Sequence, residues 1–298
     1  MENDDDGGSS DVVPTVGVIG LGAMGLPIAG HLARSGIAVT VHDLDPDRAD
    51  AAAAFGCAVA DGAAVVAEAS AVTFVLVPSD SDVRAVCLDA GGVVDRAGTD
   101  GVIVVCSSVH PATVREIDAA VAGTNGRRRV LDAALTGGVR AAEEGAVNLL
   151  VGGPAETLER ARPVLEPWCA TVHHLGELGA GQIAKSANNL VHWAQICAIE
   201  EALDLARRYG LSVPAVRAAL MDGPTDSRTL RELERMRLTW WAKDLDTVDR
   251  LAREVGRPTP VADLCRSRMS GITVDALAEL LVSVGAESPA LFRSGNEG

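Results

Sequence analysis

The chain is short of aromatic side chains: four tryptophans, three phenylalanines and one tyrosine, 3% of 298 residues. With 48% apolar residues a substantial core is expected, and it must be aliphatic. Positive charge is also scarce. Twenty-six Lys and Arg stand against 41 Asp and Glu, a formal charge of -15, which repels polyanions and disfavours nucleic acids and anionic membranes as partners. Any anionic ligand must therefore be held by local donors. No apolar run approaches the ~20 residues that span a bilayer, the longest being short β-like stretches such as 72–77. The six cysteines are scattered, with no Cys-x-x-Cys pair and no secretory leader before them, so they are expected to be reduced packing residues of a cytoplasmic protein. There is no internal repeat.

What is present is a rhythm. From Thr15 onward, short β-branched runs at 16–19, 39–42, 72–77, 102–106, 130–134 and 149–151 alternate with Ala-rich helical stretches. That pattern predicts βαβ units, hence a doubly wound parallel sheet with helices on both faces. After about Gly176 the strand-like runs cease. Residues 182–209 read as one long helix ending at Gly210, with further helices from Val213, Thr229, Lys243, Val261 and Val274. The expected architecture is α/β: a disordered acidic tail (1–13), an N-terminal Rossmann domain (14–177), an all-helical C-terminal domain for substrate and oligomerisation (178–287) joined through a long interdomain helix, and a flexible tail (288–298).

The loop Gly20-Leu21-Gly22-Ala23-Met24-Gly25 follows the apolar strand Val16-Gly17-Val18-Ile19 and opens a helix that runs through Leu32. In that setting the first glycine permits a tight turn, the second lets the backbone approach a pyrophosphate, and the third lets helix and strand pack closely. The phosphates then sit over unpaired helix N–H groups. A lone GxGxxG is weak evidence; strand before, helix after and an acid at the right distance make it specific. The acid is Asp43, at the end of the 39–42 run, where a carboxylate accepts hydrogen bonds from the adenosine ribose and repels a ribose phosphate. Leu44 follows, where an NADP site more naturally offers an arginine, so NAD is expected over NADP. The bland reading of Asp43 is a turn residue, since Asp45-Pro46 beside it is also turn chemistry.

The densest segment is Gly179-Ala180-Gly181-Gln182-Ile183-Ala184-Lys185-Ser186-Ala187-Asn188-Asn189, followed downstream by Lys243-Asp244-Leu245. On a helix turning about 100° per residue, Asn189 and His192 fall within about 40° of Lys185, so the three share one face. The glycine pair of Thr136-Gly137-Gly138 leaves backbone N–H groups to converge on an oxyanion, and the Thr136 hydroxyl adds a donor.

With these four segments in this order, the chain resembles the β-hydroxyacid dehydrogenase family over nearly all of residues 15–285. The resemblance implies that Lys185 is the catalytic acid/base, that Asn189 orients the substrate beside it, and that Thr136, Gly137 and Gly138 bind the substrate carboxylate. It places Lys243 near nicotinamide and substrate. Ser108, in Ser107-Ser108-Val109-His110-Pro111, corresponds to the family's Ser-Thr-x-x-Pro segment and faces the cofactor. Val77 and Pro78 join Gly20, Leu21, Gly22, Ala23, Met24, Gly25, Asp43 and Lys243 as expected cofactor contacts. The implied reaction moves a hydride between NAD and a small 3-hydroxy acid or its semialdehyde or keto acid. Oxidation needs Lys185 neutral, with its pKa below the ordinary lysine value of about 10.4; burial, the cationic ring and Lys243 are the expected causes. A homodimer or homotetramer is implied as well.

The chain departs from the family at Thr136 (commonly Ser), Ala141 (Gly) and Val105 (Asp). His192 is outside the family pattern; it either shapes the substrate pocket or packs at a domain interface. Trp240-Trp241 either starts a helix by packing or walls the site, and Arg140 either is solvated or meets a second acidic group on a substrate. His173-His174 point to opposite sides of an extended stretch, and no metal site is expected. Three alternatives compete. The 6-phosphogluconate dehydrogenases carry a histidine before the motif's Asn and a longer helical part; imine reductases typically carry Asp or Tyr where Lys185 stands; a non-catalytic dinucleotide-binding protein would keep the fold without the chemistry.

Overall fold

A computed structural model of the chain describes residues 14–95, 100–124 and 128–284. The tails expected to be disordered at 1–13 and flexible at 288–298 lie outside the described residues. Among the described residues, eight strands form one sheet: β1 (Val16–Ile19), β2 (Val39–His42), β3 (Ala58–Val59), β4 (Val72–Val75), β5 (Val102–Val105), β6 (Arg129–Thr136), β7 (Val147–Gly152) and β8 (Cys169–His174). Their order is β3-β2-β1-β4-β5-β6-β7-β8. The strands from β1 to β6 pair in parallel, and the order reverses between β1 and β4, the switch point beside which doubly wound sheets bind ligands.

Seven helices connect these strands: α1 (Gly25–Arg34), α2 (Pro46–Ala53), α3 (Ala63–Glu68), α4 (Asp80–Leu88), α5 (Pro111–Ala122), α6 (Gly138–Glu143) and α7 (Ala155–Leu165). The continuous apolar strands make sense because both faces are covered. Val18, Val41, Phe74, Val104 and Leu131 meet α1 and α7 in one aliphatic core, closed by Trp168, whose ring packs edge-on to Phe74 at 5.4 Å. Ile19, Val75, Ile103 and Val105 meet α3, α4 and α5 in the other. All six cysteines are free, five of them buried, and burial pushes the Cys87 thiol up to about 12, which suits packing rather than reactivity.

Two features differ from a uniformly parallel reading of the sequence. β7 runs antiparallel to β6, and β8 lies parallel to β7, so the far edge is reversed. The short α6 turns the chain straight back after β6, a connection too short for the crossover a parallel neighbour requires. β3 and β8 escape a hydrophobic scan because β3 has two residues and β8 shows mostly exposed side chains.

The second half is helical: α8 (Ala180–Arg208), α9 (Val213–Met221), α10 (Arg228–Arg231), α11 (Trp241–Glu254), α12 (Pro260–Met269) and α13 (Val274–Val282). The helix expected from Thr229 is a single turn. Ile196, Leu203, Val213, Leu245, Met269 and Leu277 belong to this unit's own core. Chain contacts divide the molecule after Lys185, inside α8. The first turn and a half of that helix is thus grouped with the sheet. No described helix is long and apolar enough to cross a membrane.

Candidate active site

The three glycines of the 20–25 loop do different work. Gly20 has φ +91°, a left-handed conformation that favours glycine, and a Cβ there would run into the Leu76 carbonyl. At Gly25 a Cβ would run into the Gly20 carbonyl, so this glycine lets α1 close against the turn. Gly22 is neither: its φ is not left-handed and a Cβ would meet nothing within 4 Å. Internal packing therefore gives no reason for glycine at 22. An open position over the start of α1, at the switch point of the sheet, fits the close approach of a pyrophosphate.

At the end of β2, Asp43 is tied to the same loop. Its Oδ2 accepts the Leu21 N–H at 2.5 Å and its Oδ1 accepts the Asp45 N–H at 2.9 Å. Each carboxylate oxygen has a second lone pair for a ribose hydroxyl. Arg48, which the sequence reading did not weigh, stands 3.8 Å from Asp43 and 3.2 Å from Asp45, so two acids hold the nearest guanidinium.

The neighbouring strand ends are laced together. Ser107 Oγ accepts the Val77 N–H at 2.8 Å and donates to the Val75 carbonyl at 3.3 Å, which joins the Val77-Pro78 loop after β4 to the loop after β5. Ser108 is half-buried in that second loop. Beyond β6, Gly137 and Gly138 have φ +109° and +72°, and no side chain caps α6 there. The Thr136 hydroxyl points back to the Asn148 carbonyl at 3.4 Å, so it serves the β6–β7 pair in this state. Arg140 pairs with Glu144 at 2.7 Å on the exposed side of α6.

The residue that the sequence reading missed is Asp132. It is fully buried in the middle of β6, where its Oδ1 accepts the Gly179 N–H at 2.6 Å and its Oδ2 accepts the Gln182 N–H at 2.8 Å. A carboxylate from the sheet thus caps the start of α8. Gly181 permits this approach, since a Cβ there would lie 2.7 Å from Asp132 Oδ2. Burial raises the Asp132 pKa above the ordinary carboxylate value, and the N–H bonds from Gly179 and Gln182 pull it back down. The only sequence signal was an acid inside the otherwise apolar run Val130-Leu131-Asp132-Ala133-Ala134-Leu135.

Lys185 lies on α8 one turn beyond Gln182 and is half-buried. Asn189, one turn further, is buried, and Asn188 donates to its Oδ1 at 3.3 Å. In the helical unit His192 Nδ1 sits 3.0 Å from Thr229 Oγ1, and its ring lies 4.9 Å from that of Trp193. Trp193 Nε1 donates to Asp244 at 3.0 Å, which fixes the start of α11, and with it Lys243, against α8. Lys243 Nζ stands 5.9 Å from the centre of the Trp240 ring. His174 Nε2 lies 2.7 Å from the Gly153 carbonyl, and the described residues include no group of three His, Cys, Asp or Glu able to hold a metal.

Comparison with known proteins finds relatives across both halves of the chain. A family model described as the NAD binding domain of 6-phosphogluconate dehydrogenase matches residues 15–176, and one described as NAD-binding of NADP-dependent 3-hydroxyisobutyrate dehydrogenase matches residues 179–280. The 3-hydroxyisobutyrate dehydrogenase of Pseudomonas aeruginosa is 35% identical over 206 residues, 69% of this chain and 68% of that one. The NAD-dependent L-serine dehydrogenase of the same organism is 34% identical over 199 residues, 66% of this chain and 65% of that one. A solved Mycobacterium tuberculosis 3-hydroxyisobutyrate dehydrogenase with L-serine superposes with a TM-score of 0.79 at 27% identity, covering 92% of this chain and 97% of that one.

Two outcomes follow from this geometry. Gly22→Ala is expected to leave the melting temperature within a degree or two while weakening NAD binding by about tenfold or more, whereas Gly25→Ala unfolds or strongly destabilises the protein. Equal loss of stability in both, by thermal unfolding beside NAD titration, would remove the case for an open phosphate cradle. The second outcome concerns pH. Because the folded state holds the Asp132 proton more tightly than the unfolded chain, that group's contribution is fully present below about pH 4 and is lost as pH rises through its raised folded pKa. Asp132→Asn does not titrate there. The stability of the wild type relative to this variant, from urea unfolding, should therefore decline from about pH 4 upward; a difference that grows with pH would mean that the N–H bonds outweigh burial.

Proposed function

We propose, from the premise that this chain belongs to the β-hydroxyacid dehydrogenase family, that it interconverts a small 3-hydroxy acid and its semialdehyde or keto acid with Lys185 as general acid/base. Hydroxyacid dehydrogenase chemistry with NAD is the property of the family; the lysine's role and the substrate are our reading. NAD, when bound, exchanges a hydride with the substrate carbon.

The chain's own residues divide the remaining work. Gly20 to Gly25 receive the pyrophosphate and Asp43 the adenosine ribose hydroxyls. Val77, Pro78 and Ser108 flank the cofactor where the ends of β4 and β5 are laced by Ser107. The backbone at Gly137 and Gly138 holds the substrate carboxylate, which suits a protein of net charge -15 that must bind an anion through local donors. Lys185 takes the hydroxyl proton during oxidation and returns it to the nascent alkoxide during reduction. Asn189 orients the same oxygen. Lys243 supplies a second positive charge that favours neutral Lys185, and His192, anchored by Thr229, borders the substrate.

The observation that carries this reading is the placement of Lys185 on the first turns of a helix whose start is bonded to the sheet that forms the dinucleotide site. Retention of lysine rather than Asp or Tyr at this position favours alcohol and carbonyl chemistry over imine reduction.

The test is an initial-rate panel of 3-hydroxy acids, including serine and 3-hydroxyisobutyrate, with NAD and NADP. Turnover should prefer NAD, and Lys185→Ala should lower kcat/KM by about a thousandfold while its NAD affinity stays within about twofold. A variant that turns over at the wild-type rate would end the acid/base assignment; tight NAD binding with no turnover across the panel would favour the non-catalytic reading.

A further inference from the structure

The side chain of Gln182 is almost fully buried, 1% exposed, and both ends of its amide are bonded to one loop. Its Oε1 accepts the Val109 N–H at 3.0 Å and its Nε2 donates to the Ser107 carbonyl at 2.9 Å. The two bonds bracket Ser108. The backbone N–H of the same residue donates to Asp132 at 2.8 Å, and Ser107 in turn holds the Val77 N–H. Gln182 thus joins the loop after β5, the interior of β6 and the first turn of α8, and Ser107 extends the link to the loop after β4. Lys185 is three positions along that helix, where side chains stand about 5–6 Å apart at Cβ.

We propose that Gln182 is a positioning residue, whose amide holds the Ser107-Ser108-Val109 backbone and the first turn of α8 as one body and so sets where Lys185 stands relative to the loop after β5. The inference rests on Lys185 as the proton-transfer group. An amide suits the task because the loop offers one carbonyl and one N–H, and only a group that both accepts and donates satisfies the pair. A small misplacement there is costly, since proton and hydride transfer both depend on reactant geometry at the level of an ångström.

Gln182→Glu separates positioning from mere support. Protonated Glu has the shape of Gln and restores both bonds; ionised Glu accepts only, and sets a carboxylate against the Ser107 carbonyl. Burial at position 182 raises the introduced carboxyl above its ordinary value of about 4.3, so the ratio of the variant's kcat to the wild-type kcat, measured in the reduction direction across about pH 5 to 8, should be highest at the acid end and fall at least tenfold toward the other. NADH affinity should change less than twofold. Hydrogen exchange of residues 106–110 in the cofactor-free variant should accelerate over the same pH range. Gln182→Met, which lacks both bonds, should show a low ratio at every pH. A flat Gln182→Glu ratio near one, or faster exchange with kcat unchanged, would overturn the proposal and leave Gln182 a supporting residue. Lys185→Ala run in parallel keeps the premise separate: turnover in that variant would refute the acid/base reading whatever Gln182 does.

Discussion

Two backbone N–H groups at the start of a 29-residue helix end on one buried carboxylate, and the placement of everything on that helix's first turns follows. Removing the Asp132 carboxylate from water costs several kcal/mol, while each hydrogen bond to a charged acceptor is worth about 1.5–3 kcal/mol. Two such bonds are of the order of the penalty. The carboxylate is held in the sheet because the helix supplies donors, and the helix starts where it does because the carboxylate is there. Gly152, whose Cβ would lie 2.5 Å from Asp132 Oδ1, and Gly181 leave the space for it. This explains why the first six residues of α8 group with the sheet rather than with the helices that follow.

Much of this was legible in the sequence because the relevant signals were local. The strands at 16–19 and 39–42, the start of each later helix within a few residues, and the glycine loop all rest on short-range rules: apolar runs, turn residues, helix ends. What was illegible depends on partners far along the chain. The reversed edge formed by β7 and β8 is set by a short connection and by pairing, not by composition. Asp132 bonds residues 47 and 50 positions away, and Trp193 reaches Asp244 across 51. A single sequence shows such residues only as anomalies: an acid in a strand, a tryptophan in the middle of a long helix.

The candidate site shows the same division. For its cofactor half the sequence names individual residues, the loop and Asp43, because a dinucleotide imposes a spacing on the chain. For its substrate half the family resemblance names residues but not the acid, because what selects a small acid is the identity of a few side chains. His192, which lies outside the family pattern, stands on α8 and is held at 3.0 Å by Thr229. The Thr136 hydroxyl is turned toward the Asn148 carbonyl, so the carboxylate donors we propose are the backbone N–H groups at Gly137 and Gly138.

The central claim is that Lys185, held by this arrangement, transfers the substrate proton. The most direct measurement is the oxidation rate of Lys185→Ala with added small primary amines. The account predicts that turnover, lost in the variant alone, returns in proportion to the free amine concentration while NAD affinity stays at the wild-type value. Wild-type turnover without any amine would contradict it.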